Sequence, residues 1–272
     1  MVNGYQATSL TQALDILANE AVTPYAGGTD LMIKADENAT YLFLNKVPEM
    51  KNIVEDAEYI RIGASCTFTG IIESKLTPDI LKEAVSQIAA PAIRNLGTVG
   101  GNICNGSAKG DSSLIFFATD SKLRLVSSKG ERIIPIAEFY LGRKKTALKT
   151  DELLVEILMN KTGLSNYYYK KVGARNALAI ARVSFAAILN VEDNKIASCM
   201  TAFGAISDVI IRRADIDTML IGKTIEEAKS VKEDYLAAYD QAIVPIRGRI
   251  SAEYRKAVCM NLLRDFLESN GI

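Results

Sequence analysis

The chain has 272 residues, 49% of them hydrophobic and 24% charged, and its 32 basic and 32 acidic side chains balance to a formal net charge of zero. That length is enough for two domains with their own cores, and the balance gives no reason to expect nucleic acid or an acidic membrane surface as a partner. There is no histidine, which excludes Ser-His and Cys-His nucleophile pairs and removes the commonest metal ligand. The four cysteines, Cys66, Cys104, Cys199 and Cys259, lie far apart with no C-x-x-C pair, so no metal or cluster site is read from their spacing. Met1-Val2-Asn3-Gly4-Tyr5 lacks a basic-then-apolar export signal, and no apolar run reaches the length of a membrane span. The expected compartment is the cytoplasm.

Ser9 can cap a first helix with Leu10, Ala13, Leu14 and Leu17 on one face. Val22 to Ala26 reads as a strand entering a glycine loop, Thr29 or Asp30 can cap a short helix through Ile33, and Tyr41 to Leu44 is a strand. This strand–loop–helix–strand order places loop amides and a helix N-terminus where they can hold phosphate. Tyr59 to Gly63 starts a second α/β unit. Helices are predicted over 67–74 and 79–89, with Pro91 ending the latter. A second glycine loop follows. Asp111 can cap the apolar helix Leu114 to Ala118, strands fit Lys122 to Ser127 and Glu152 to Leu158, and Gly130 and Pro135 punctuate between them.

A third region begins near Asn166. Tyr167 to Val172, Arg182 to Val191 and Ile196 to Ile206 read as strands, with turns at Gly173 to Asn176 and Glu192 to Asn194. Helices are predicted over 209–220, 224–241 and 252–269. Strands followed by helices imply an α+β domain with its helices on one face of an antiparallel sheet.

Two glycine-rich stretches carry the functional signal. One is Ala26-Gly27-Gly28-Thr29-Asp30-Leu31-Met32-Ile33. The other is Ile93-Arg94-Asn95-Leu96-Gly97-Thr98-Val99-Gly100-Gly101-Asn102-Ile103, followed by Asn105, Ser107 and Asp111. Glycine lets backbone amides approach a ligand without a Cβ in the way, and successive amides in such a turn form an anion-binding concavity. Two such loops suggest a ligand with an extended, doubly charged middle, such as a dinucleotide pyrophosphate. Neither is a G-x-G-x-x-G fingerprint or a P-loop, so a doubly wound dinucleotide domain is not expected.

Together these loops resemble the FAD-binding (medium) subunit of the molybdenum hydroxylases, the xanthine dehydrogenase and carbon monoxide dehydrogenase type. The resemblance starts at Thr8-Ser9-Leu10-Thr11-Gln12-Ala13-Leu14. It includes Phe139-Tyr140-Leu141-Gly142-Arg143-Lys144-Lys145-Thr146-Ala147-Leu148, and closes with Arg247-Gly248-Arg249-Ile250-Ser251-Ala252-Glu253-Tyr254-Arg255-Lys256. It implies an α+β fold: a two-part α/β FAD-binding domain of the vanillyl-alcohol-oxidase-like type, then an antiparallel sheet with helices. The expected domains are 1–165, divided at about 57, and 166–272.

The resemblance also implies roles. Gly28 and Thr29 amides and the Thr29 hydroxyl would bind pyrophosphate, while the backbone from Ala26 through Ile33 lines the cofactor. Asp30 is expected to cap the next helix, since it would repel phosphate. Thr98 would donate to phosphate or ribose, Gly100 and Gly101 would offer amides, Val99 continues that loop, and Asn102 could serve both flavin and loop. Asp111 could accept from cofactor hydroxyls as well as cap a helix. Leu154 matches a position at the flavin, against a default of ordinary core leucine. Lys170 matches a lysine near the flavin ring, where a cation would stabilise the reduced anion; a strand-edge lysine is the alternative. Arg94 is either a salt-bridge residue or a cofactor contact. Cys104 lies near the loop and is expected to be packing. Where many relatives carry Asp or Tyr, this chain has Leu178-Ala179-Ile180-Ala181, so any cover on the flavin comes from elsewhere.

No catalytic side chain and no metal ligand are assigned. The implied function is electron transfer. An iron–sulfur subunit and a molybdenum-cofactor subunit are the implied partners, and NAD or another acceptor receives the electrons. A self-sufficient FAD-dependent oxidase or reductase on the same fold is the alternative, and a FAD-binding structural adaptor without turnover is a third possibility.

Overall fold

The computed structural model describes residues 3–175, 177–246 and 250–272. Arg247-Gly248-Arg249 of the closing motif and Asn176 of the predicted turn lie outside them. In chain order the elements begin β1 (Asn3–Gln6), α1 (Leu10–Asn19), β2 (Thr23–Tyr25), β3 (Thr40–Phe43), β4 (Ile53–Glu55) and β5 (Tyr59–Gly63). Next come α2 (Phe68–Glu73), α3 (Asp79–Ser86), α4 (Pro91–Arg94), α5 (Val99–Cys104), α6 (Asp111–Ala118), β6 (Lys122–Ser127) and β7 (Gly130–Pro135). Then follow α7 (Ile136–Phe139), β8 (Tyr140–Gly142), β9 (Lys145–Thr146), β10 (Leu153–Asn160), β11 (Tyr167–Val172), β12 (Val183–Glu192) and β13 (Lys195–Gly204). The last are β14 (Ile211–Arg212), α8 (Ala214–Asp217), α9 (Ile225–Ser230), α10 (Lys232–Ala242) and α11 (Ala252–Ser269).

The fold is α+β, in two compact units. The first holds Met1–Thr77, Ile88–Gly106 and Asp120–Asn160; the second holds Pro78–Gln87, Ser107–Thr119 and Lys161–Ile272. In the first unit β1, β3 and β2 form a parallel sheet with β3 in the middle. Ser9 caps α1 as expected, accepting from the Gln12 amide, and Ala13, Leu14 and Leu17 are buried. A second, antiparallel sheet runs β4-β5-β10-β6-β7. Its central strand β10 is buried over Leu153–Val155 and Ile157–Met159, consistent with a strand flanked on both edges. The register slips between Leu154 and Glu156, a bulge that re-aims the side chains beside it.

Local chemistry corrects several sequence readings here. Gly130 to Pro135 is a strand rather than punctuation, because a tight turn at Ser127–Gly130 folds it back onto β6. β1 and β4 were not anticipated; both are short and lack a periodic apolar pattern. Pro91 starts α4 instead of ending a helix; its missing N–H costs nothing at a first helical position. α3 stops earlier, at Ser86.

The second unit is built on the antiparallel sheet β11-β12-β13-β14. Here the expectation of helices on one face fails. Val183, Phe185, Ala187 and Leu189 of β12 share a core with Tyr235, Tyr239, Leu263 and Phe266 of the C-terminal helices. On the opposite face, α6 packs against β12 and β13, and α3 packs against α6 and β11. That second cover explains why β12 is buried continuously from Val183 to Leu189 instead of alternating. The helix predicted over 209–220 is in fact β14 followed by α8, and that over 224–241 divides into α9 and α10.

A buried polar knot holds β13, β14, α8 and α10 together. Asp217, 1% exposed, accepts from the Thr201 amide (3.0 Å) and hydroxyl (3.0 Å), from the Tyr235 hydroxyl (2.7 Å) and the Tyr239 hydroxyl (2.8 Å), and from Arg212 at 2.5 Å. Burial raises the Asp217 carboxyl, while Arg212 and the hydroxyl donors oppose it. Removing one partner leaves a buried charge uncompensated. Asp217→Ala should therefore destabilise the second unit by about 3–5 kcal/mol, read as an earlier transition in urea monitored by tyrosine fluorescence.

Candidate functional site

The two glycine loops meet, and the contact between them is backbone. A Cβ on Gly27 would lie 1.8 Å from the Leu96 carbonyl oxygen, so only glycine allows this approach. Gly28 has φ +69°, and a Cβ there would also lie 2.1 Å from the Tyr25 hydroxyl. The second loop is in turn stitched to the turn after β5. Phe68 donates to the Gly97 carbonyl (3.1 Å), Val99 to that of Cys66 (3.0 Å) and Gly100 to that of Ala64 (2.8 Å).

These contacts enclose a cavity of about 510 Å³ within the first unit, inside the size range of small-molecule and cofactor sites. Of the residues singled out in the sequence, Ala26, Gly27, Gly28, Thr29, Asp30, Leu31, Thr98, Gly100, Gly101, Asn102 and Leu154 line it. Of the remaining loop residues, Met32 is 38% exposed, Ile33 74% exposed and Val99 fully buried, and none of the three lines it. Cys104 and Leu148, the last residue of the motif that starts at Phe139, line the cavity, together with Ser65, Leu44, Met50, Phe68, Ile88 and Leu153, which sequence reading passed over. The apolar members of that group are dispersed along the chain, so no local motif marks them.

The donor sets of the two loops differ. Among the described residues, the amides of Gly27, Gly28 and Thr29 make no hydrogen bond, and the Gly28 carbonyl accepts from Met32 (2.9 Å). In the second loop the Gly100 amide is committed to Ala64 and the Gly101 amide to the Thr98 hydroxyl at 3.1 Å. The expectation that both of these amides face a ligand is corrected: Thr98 is the N-cap of α5, and Gly100 is small because a Cβ would lie 2.6 Å from that of Ala64. Asp30 stands at the helix-capping position before Leu31–Lys34, yet its side chain makes no cap hydrogen bond. It is the one charged residue among the lining residues described, so backbone dipoles rather than cationic side chains would have to meet an anion there.

Among the described residues Arg94 makes no salt bridge. Its guanidinium donates to the carbonyls of Ile88 (2.7 Å) and Ala89 (3.0 Å), clasping its own turn. Burial pushes the Cys104 thiol up to about 12, which keeps it protonated and poorly nucleophilic.

Asp111 and Lys170 belong to the second unit. Asp111 lies in the first turn of α6, whose N-cap is Gly110, so the capping reading is corrected by one residue. Its carboxylate pairs with Lys171 at 2.6 Å, and Lys171 also donates to the Gln87 carbonyl at 2.9 Å. Burial pushes the Asp111 carboxyl up to about 6, with Lys171 working against it. Strand alternation decides which lysine is buried. Lys170 is exposed, its ammonium 5.9 Å from the centre of the Tyr168 ring, whereas Lys171 turns in to meet Asp111. The Asp111–Lys171 ion pair was not anticipated from the sequence, where the two adjacent lysines look alike.

Comparison with known proteins identifies the family. A family model described as the FAD binding domain in molybdopterin dehydrogenase matches residues 1–159, and one described as the CO dehydrogenase flavoprotein C-terminal domain matches 167–270. The xanthine dehydrogenase FAD-binding subunit of Escherichia coli O157:H7 is 33% identical over 223 residues, covering 76% of this chain and 75% of its own. The nicotinate dehydrogenase FAD-subunit of Eubacterium barkeri is 29% identical over 250 residues, covering 85% and 82%. In the solved structure of reconstituted CO dehydrogenase from Oligotropha carboxidovorans, one chain has the same fold, with a TM-score of 0.89 at 24% identity over 98% of this chain and 96% of that one.

If the cavity is the FAD site, Gly28→Val and Gly101→Val should retain a native far-UV circular dichroism spectrum and lose FAD in an equilibrium titration. Valine at position 28 forces a β-branched residue into positive φ, and at position 101 it projects from the cavity wall. Stoichiometric FAD in either variant would place the pyrophosphate elsewhere.

Proposed function

The chain belongs to the FAD-binding-subunit family of the molybdenum hydroxylases, and from that premise we propose that it is the electron-transfer subunit of a heteromeric complex with an iron–sulfur subunit and a molybdenum-cofactor subunit. FAD, when bound, supplies a centre that takes up electrons singly and releases them in pairs, here from partner clusters to NAD or another acceptor. The observation that carries this reading is the single cavity onto which both glycine loops open.

The residues present suit FAD. Gly27, Gly28 and Thr29 offer amides to the pyrophosphate, and Thr29 adds a hydroxyl. Thr98 and Asn102 offer polar side chains on the opposing loop, with Gly101 making room between them. Leu153, Leu154, Phe68 and Ile88 give an apolar wall that excludes water from a flat ring. Leu31 borders the mouth. We keep Asp111 and Lys170 as proposed cofactor residues; within the second unit Lys171 is paired with the Asp111 carboxylate. We take 1–165 as the FAD-binding domain and 166–272 as the C-terminal domain.

Among the described residues, no three His, Cys, Asp or Glu side chains are grouped as metal ligands. All four cysteines are free thiols, and we place the protein in the cytoplasm, where such thiols stay reduced. Among the described residues no helix is long and apolar enough to cross a membrane.

Two outcomes are expected. FAD should be held without a covalent bond, since no histidine exists and the Cys104 thiol is protonated. Denaturation and ultrafiltration should therefore pass the yellow colour into the filtrate; colour retained on the polypeptide would refute this. The isolated FAD-loaded chain should reduce artificial acceptors with NADH but not with purine or aldehyde substrates, and substrate oxidation should appear only with both partners. Substrate-dependent acceptor reduction by the metal-free chain would instead favour a self-sufficient oxidase.

A further inference from the structure

The turn after β5 is held by a bond from every one of its amides. Gly63 donates to the Asn52 carbonyl (2.8 Å), Ala64 to that of Val155 (2.8 Å), Ser65 to that of Met50 (2.8 Å) and Cys66 to that of Gly63 (2.9 Å). The Cys66 thiol donates to the Lys51 carbonyl at 3.1 Å, and the Ala64 carbonyl accepts from Gly100. One polar group in this turn stands apart. The hydroxyl of Ser65 is buried and has no hydrogen-bond partner among the described residues, in a residue that is 7% exposed and forms part of the cavity wall.

A buried, unpaired hydroxyl is destabilising, and native proteins rarely keep one without use. The backbone around Ser65 is too firmly bonded to turn the residue elsewhere. The turn also lies against the second glycine loop through the Ala64–Gly100 contact, so the hydroxyl sits beside the segment that faces the cofactor. We propose that Ser65 is a further FAD-positioning residue, its hydroxyl donating a hydrogen bond to an oxygen acceptor of the bound cofactor. This rests on the cavity being the FAD site. The rigid turn sets the donor in place before binding, so little ordering remains to be done when the cofactor arrives.

The test uses the full chain stripped of flavin: wild type, Ser65→Ala and Gly28→Val, each titrated with FAD by fluorescence quenching and each melted without FAD. Ser65→Ala is expected to raise the Kd for FAD by about tenfold, the effect of one lost hydrogen bond. Its apo Tm should equal or exceed that of wild type, because an orphaned hydroxyl has been removed. An unchanged Kd in Ser65→Ala, with FAD lost in Gly28→Val, overturns the Ser65 contact alone. A fall in apo Tm that accompanies the weaker binding makes Ser65 a structural residue and also overturns it. Retention of FAD by Gly28→Val overturns the cavity assignment itself.

Discussion

The candidate site depends on backbone meeting backbone. The Leu96 carbonyl occupies the space where a side chain on residue 27 would stand. Beyond it, Phe68, Val99 and Gly100 donate across to their partners and fasten the second loop to the sheet unit that carries β5 and β10. If this seam opened, the first loop would lose its opposing wall, α5 would lose its anchor, and the cavity would have no enclosed shape. Backbone hydrogen bonds suit the task because they fix distance and angle together. Glycines at the crossing points are what make the spacing possible.

Such a seam leaves the cavity nearly free of side-chain charge. The lining combines apolar side chains, a few hydroxyls, amides and one exposed carboxylate at Asp30. A doubly charged ligand would be met by dipoles fixed before it arrives, at little cost of reorganisation. The second unit uses charge differently. There the Asp111–Lys171 and Asp217–Arg212 pairs are buried and bonded to further groups. Each pair is expensive to break on one side only.

The glycine loops, the cap at Ser9 and the strand order of the last third were legible from the sequence. Each is local: a cap needs one hydroxyl, a loop needs adjacent glycines, and a strand needs a run of β-branched or aromatic residues. That locality is also why the family was recognisable, since its marks are contiguous. Which of Lys170 and Lys171 pairs with Asp111 was not legible, because two adjacent residues of one type differ only in which face of β11 they occupy.

What only the tertiary structure decided concerns segments brought together from afar. Sequence could not show that Gly100 spends its amide on Ala64 or that Thr98 caps α5. Nor could it show that Arg94 clasps its own turn, or that Ser65 keeps an unpaired hydroxyl in the cavity wall. It could not assign Pro78–Gln87 and Ser107–Thr119 to the second unit, where α3 and α6 cover the face of the sheet that the C-terminal helices leave open. The sequence by itself determined the glycine loops, the Ser9 cap and the main strands of the last third. The long-range hydrogen bonds and packing determined which donors remain for a ligand, because a donor is available only when no neighbour in space has already claimed it.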